Sequence, residues 1–145
     1  MARIAFQTLM RAACVQLLTD YKAVSGVGMQ IYPARPRSVA PPTGFVDAIN
    51  ERISYTALNQ RQPTAEVIVI HGLFDSKEAA DQRDAFVDGF IDWVLDNIHE
   101  AHAATTIAVT DVDDLPSYVP DWMPPDLQRT YYATRITLEG LALSG

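Results

Sequence analysis

The chain has 145 residues and a formal net charge of −7, with 48% hydrophobic and 20% charged residues. Its length and apolar content suit one domain with one core and exclude wholesale disorder. The acidic balance argues against wrapping nucleic-acid phosphates, which needs clustered Lys and Arg. No apolar run approaches the roughly 20 residues that span a bilayer, and the single cysteine, Cys14, rules out an intrachain disulfide.

The start, Met1 to Arg11, has no signal-peptide core, because Gln7 and Arg11 interrupt it. Cytosolic synthesis is the expectation. Residues 3–23 are expected to form a helix: Ile4, Leu9, Val15, Leu18 and Tyr21 lie among good helix formers, without Pro or Gly. Ser25-Gly26-Val27-Gly28 ends it with residues that tolerate left-handed backbone. Residues 29–32 read as a short strand. The wider segment 29–47 holds Pro33, Pro36, Pro41, Pro42 and Gly44 and reads as an extended arm, because proline serves neither a ladder nor a helix interior. It carries Arg35 and Arg37 and ends at Phe45-Val46.

Residues 52–58 alternate with period two and predict a strand. A turn at 59–64 leads into a second strand at 66–71, and together they predict a hairpin. Residues 76–99 predict a long helix. Asp75 is the expected N-cap, with Glu78 completing a capping box. Phe86, Phe90, Val94 and Ile98 form an apolar stripe, widened by Val87, Ile91 and Leu95 and edged by Trp93. Asp81, Asp84, Asp88, Asp92 and Asp96 mark the opposite side. Gly89 costs about 1 kcal/mol there relative to Ala, so a close backbone approach is expected.

Residues 105–110 predict a strand, and 111–127 a second irregular excursion, acidic and proline-rich, carrying Trp122 and Met123. The alternating run 129–139 predicts a final strand, with Tyr132, Thr134, Ile136 and Leu138 on one face. The order α, loop, ββ, α, ββ predicts an α+β domain over residues 1–145. Its expected sheet is mixed and largely antiparallel, with an N-terminal helix and a long central helix packed on it.

The residues that could carry chemistry do not complete a site. His71-Gly72 after a strand resembles a loop of the α/β-hydrolases, but that family needs a Ser in a Gly-x-Ser-x-Gly elbow. Ser76, Ser117 and Ser144 lie in no such elbow. His99 and His102 are spaced i, i+3, one residue short of the zinc-protease pattern. Asp111, Asp113 and Asp114 lack the Gly and terminal Glu of a calcium loop. Gly26-Val-Gly28 is no phosphate cradle, and Cys14 reads as a buried thiol. No catalytic, cofactor or metal residue is assigned.

What remains is the organisation. An N-terminal helix leads to a proline-broken Tyr32-Pro-Ala-Arg35-Pro-Arg37. A hairpin ends in Glu66 to Ile70 and enters the helix opened by Asp75-Ser-Lys-Glu78. An acidic proline-rich excursion precedes a Tyr-Tyr strand, Thr130 to Leu138. This order resembles the tail terminator proteins of long-tailed bacteriophages and, more loosely, neighbouring neck and tail-tube proteins. The resemblance implies a virion structural protein made in the host cytoplasm. It implies a hexameric ring that caps the tail tube, ends its polymerisation and joins tail to head. The implied partners are further copies of the chain, the tail tube protein and the neck or connector protein. DNA would only pass through the lumen, and an acidic lumen suits that passage. Candidate contact residues are Arg35, Arg37 and Phe45 in the first irregular segment and Trp122 and Met123 in the second; aromatics and Met are enriched in interface centres. The alternatives are a neck, connector or tail-tube protein, a small adaptor presenting the arm, or an α/β-hydrolase-like enzyme using His71.

Overall fold

In the computed structural model, residues 6–26, 28–54, 60–74, 76–96, 101–102 and 105–140 are described. In chain order they form helix α1 (Phe6–Ser25), strands β1 (Gln30–Tyr32), β2 (Thr43–Ser54) and β3 (Gln60–Leu73), and helix α2 (Lys77–Asp96). Strands β4 (Ala101–His102) and β5 (Thr105–Tyr118), a 3-10 turn at Pro125–Leu127 and strand β6 (Tyr131–Gly140) follow. The sheet order is β1-β2-β3-β6-β5-β4. β1 runs parallel to β2 and every other pair is antiparallel, so the expected α+β class with a mixed, mostly antiparallel sheet is the one found.

Both faces of the central strands are buried, and period two sorts the residues between them. Val67, Val69, Ile136 and Leu138 face a core shared with Met10, Leu18 and Tyr21 of α1 and Phe86 and Phe90 of α2. Ile68, Ile70 and Ala133 join Phe45 and Tyr131 in a second core. No helix among the described residues contributes to that second core; Tyr32, Val39, Leu115, Tyr118 and Trp122 pack against it.

The helices start and stop for local reasons. At Gly26 the backbone turns left-handed, with φ of 75°, and its N–H returns to the Lys22 carbonyl at 2.9 Å. This closes α1 with the single bond of a left-handed cap. At the start of α2, Ser76 Oγ accepts the Ala79 N–H at 3.2 Å. Ser76 is therefore the cap, one residue later than expected, and Glu78 falls one position short of a capping box. Asp75 lies outside the described residues.

Three expected loops prove to be strand. The arm expected over 29–47 is irregular only between β1 and β2, because Thr43 to Val46 pair with Val67 to Ile70. The turn expected at 59–64 is strand from residue 60, with Pro63 opposite Glu51. The excursion expected at 111–127 begins only after Tyr118, because Asp111 to Leu115 pair with Ala133 to Thr137. Pro116 is accommodated where the register shifts between Leu115 and Tyr118, a place where no ladder N–H is required. The strand expected at 52–58 overlaps the end of β2, and residues 55–59 lie outside the described residues.

Candidate contact surfaces and the His71 cleft

The two irregular segments, distant in sequence, flank one face of the sheet. A bulge in β2 between Val46 and Ala48 frees Asp47 from the ladder. Its carboxylate accepts a hydrogen bond from Arg35 Nε at 2.8 Å, which pins the arm. That bond is the main reason the Arg35 guanidinium holds its proton more firmly than usual. Arg11 Nη1 donates to the Pro33 carbonyl and ties the arm to α1. From the other side, Trp122 stands edge-on to Phe45, with ring centroids 5.7 Å apart. Gln128 Nε2 donates to the Met123 carbonyl at 2.9 Å and closes the second segment on itself.

The candidate contact residues therefore divide. Phe45 is fully buried in the subunit's own second core and Met123 is also buried, so neither offers a surface to a partner. Trp122 is half-buried on the same core. Arg35 is half-exposed but paired, and Arg37 is exposed. Among the described residues the exposed large apolar side chains are Val24, Leu73, Phe74, Ile91, Leu95, Val119 and Leu127, of which only Val119 and Leu127 lie in an irregular segment. Sequence reading missed Leu73, Phe74 and Leu95, because they sit inside or beside elements whose periodicity reads as core.

The acidic residues weighed as cation ligands are spent on their own chain. Asp113 pairs with Arg135 at 2.9 Å. Asp114 accepts from Tyr132 Oη at 3.2 Å and lies 3.7 Å from Arg83 Nε. Asp111 Oδ1 accepts the Val112 N–H at 3.0 Å. No group of three metal-ligating side chains gathers among the described residues. His102 lies in β4, whereas His99 is outside the described residues.

His71 occupies the bulge of β3 opposite β6, where the register shifts between Ile70 and Gly72. It is buried, stands 5.4 Å from the Phe86 ring, and hydrogen-bonds through Nε2 to Thr134 Oγ1 at 2.9 Å. Loss of solvation, aided by the positive charge of Arg83, pulls its pKa down to about 4, so the ring is neutral at physiological pH. It lines a cleft of about 510 Å³ with Tyr21, Met29, Val69 and Phe86. The downstream serine nearest in sequence, Ser76, spends its oxygen on the helix cap. His71 thus bonds to a threonine and packs on an aromatic ring, an arrangement that holds β3 to β6.

No helix among the described residues is long and apolar enough to cross a membrane. No protein-family model matches the sequence, and no curated protein matches it. The solved structures similar to this chain include one that aligns at 20% identity over 93% of this chain and 95% of its own, with a TM-score of 0.49.

Proposed function

We propose that this protein is a virion structural subunit of the tail terminator type. In this reading it assembles into a ring, most simply a hexamer, that caps the tail tube, stops its growth and joins tail to head. The observation that carries the reading is the placement of the exposed apolar side chains. Leu73 and Phe74 close β3, and Leu127 lies just before β6 at the same end, where the Phe74 N–H bonds to the Thr130 carbonyl at 3.2 Å. Leu95 lies near the far end of α2. Single exposed apolar residues are ordinary, but several at one end of a small subunit mark a contact surface. In this reading the two irregular segments, tied to the sheet by Arg35–Asp47 and Phe45–Trp122, carry the contacts with the tail tube and connector proteins. The excess negative charge suits a lumen through which DNA slides without holding.

The test is negative-stain microscopy of the purified chain, alone and with tail tubes. Closed rings with an open centre, and rings seated on tube ends, are the expected result. A monomer at every concentration by light scattering, with no density on tube ends, would refute the reading. A neck or connector protein is separated from a terminator by the same sample, because only a terminator halts tube elongation.

A further inference from the structure

The cleft beside His71 is larger than the bonds of His71 require. Its volume of about 510 Å³ falls among small-molecule sites, which run from about 300 to 1,000 Å³. Packed interiors, by contrast, leave few voids larger than a water molecule. The cleft lies against Val69 and His71 of β3, where the end of α1, the first half of α2 and Pro42 before β2 converge. A second hollow of about 220 Å³ shares Pro42, His71 and Gln82 with it and reaches Ser76 and Glu78 at the start of α2.

The lining selects a chemistry. Tyr21, Met29, Val69 and Phe86 are buried and supply two aromatic rings, a thioether and a branched chain. No acidic or basic side chain lines the larger cleft apart from His71, whose ring is neutral at physiological pH. A charged guest would lose hydration there without gaining a counter-charge. One ring nitrogen is left over. His71 Nε2 is taken by Thr134 Oγ1 at 2.9 Å, and Thr134 is itself fully buried, so the imidazole is held in place. Nδ1 has no hydrogen bond among the described residues. Water in the cleft meets mainly carbon, whereas a guest that covers the apolar walls and bonds to Nδ1 satisfies both.

We propose that this cleft binds a neutral, flat molecule of one or two aromatic rings carrying a single hydrogen-bonding group, which meets His71. The site does not depend on ring assembly, and either can fail without the other. An occupant touches α1, α2 and β3 together and so stabilises the folded chain by mass action.

The experiment labels the methionine methyl groups with carbon-13 and titrates the full chain with 2-naphthol, naphthalene and 2-naphthoate, read by nuclear magnetic resonance. Met29 lines the cleft while Met10 and Met123 do not, so those two serve as internal controls. The expected result is a saturable shift of the Met29 signal by 2-naphthol, with a Kd on the order of 0.1 mM and the controls unmoved. Naphthalene lacks the hydroxyl and is expected to bind about five-fold more weakly; the charged 2-naphthoate is expected not to bind. Ala85→Trp puts a ring at the exposed rim of the cleft and is expected to abolish the Met29 shift with circular dichroism unchanged. The proposal is overturned if 2-naphthol leaves Met29 unmoved at roughly ten times that concentration, or moves all the methyls alike. It is equally overturned if naphthalene or 2-naphthoate binds as tightly as 2-naphthol, or if folded Ala85→Trp binds like the wild type.

Discussion

Replacing Gly89 with alanine tests how the two helices meet. An added Cβ would lie 2.6 Å from Tyr21 Oη, well inside contact distance. The hydroxyl cannot swing away easily. The Tyr21 ring is fixed edge-on against Phe86 at 5.4 Å and Phe90 at 5.2 Å, with Trp93 at 5.4 Å, and its Oη donates to the Phe86 carbonyl at 3.4 Å. Helix propensity alone favours alanine by about 1 kcal/mol. Overpacking a closed core costs about 1–3 kcal/mol, so Gly89→Ala is expected to destabilise the protein by about 1 kcal/mol net. Tyr21→Phe removes the obstructing oxygen and loses one long hydrogen bond, a cost below about 1 kcal/mol. In that background Gly89→Ala is expected to become stabilising, by up to about 1 kcal/mol. The cycle then shows a coupling of about 2 kcal/mol. Urea unfolding of the four proteins followed by circular dichroism, at one fixed protein concentration, reads these differences. Gly89→Ala with the same effect in both backgrounds would refute the reasoning.

Three further outcomes follow from the described contacts. His71 is held near pKa 4 against an ordinary 6.5, so the unfolded chain binds the extra proton between those values. Stability is therefore expected to be complete above about pH 6.5 and to fall as pH drops toward 4, by an amount on the order of 3 kcal/mol from this group; His71→Gln should flatten that window in urea titrations. Ser76→Ala removes the cap of α2 and is expected to cost about 0.5–2 kcal/mol in the same assay, whereas loss of the hydroxyl without effect would deny Ser76 its capping role. Burial pushes the Cys14 thiol up to about 12, so it should resist a thiol reagent at pH 8 until denaturant is added; rapid native reaction would contradict the buried placement.

The helices and the final strand were legible because their signals are local. The stripe from Phe86 to Val94 fixed the buried face of α2; at Gly89 a close backbone approach is expected, and the neighbour is instead the side-chain hydroxyl of Tyr21. The extensions of β2 and β5 were not legible. Thr43 to Val46 follow prolines, and Asp111 to Leu115 are acidic, so propensity favours loop; pairing with β3 and β6 overrides it. The same limit governed the contact residues. Phe45 and Trp122 look like surface anchors because each lies beside prolines, yet they complete one core across a long sequence separation. Leu73 and Phe74 follow the buried run Val67 to His71, so their exposure depends on where the helices stop covering the sheet.

The central claim is that this subunit works by closing into a ring. Mass photometry of the purified chain across a concentration series, paired with class averages from negative stain, measures that directly. One dominant species of about six subunits with an open centre is the expected result. A single species at the 16.0 kDa monomer mass throughout would contradict it.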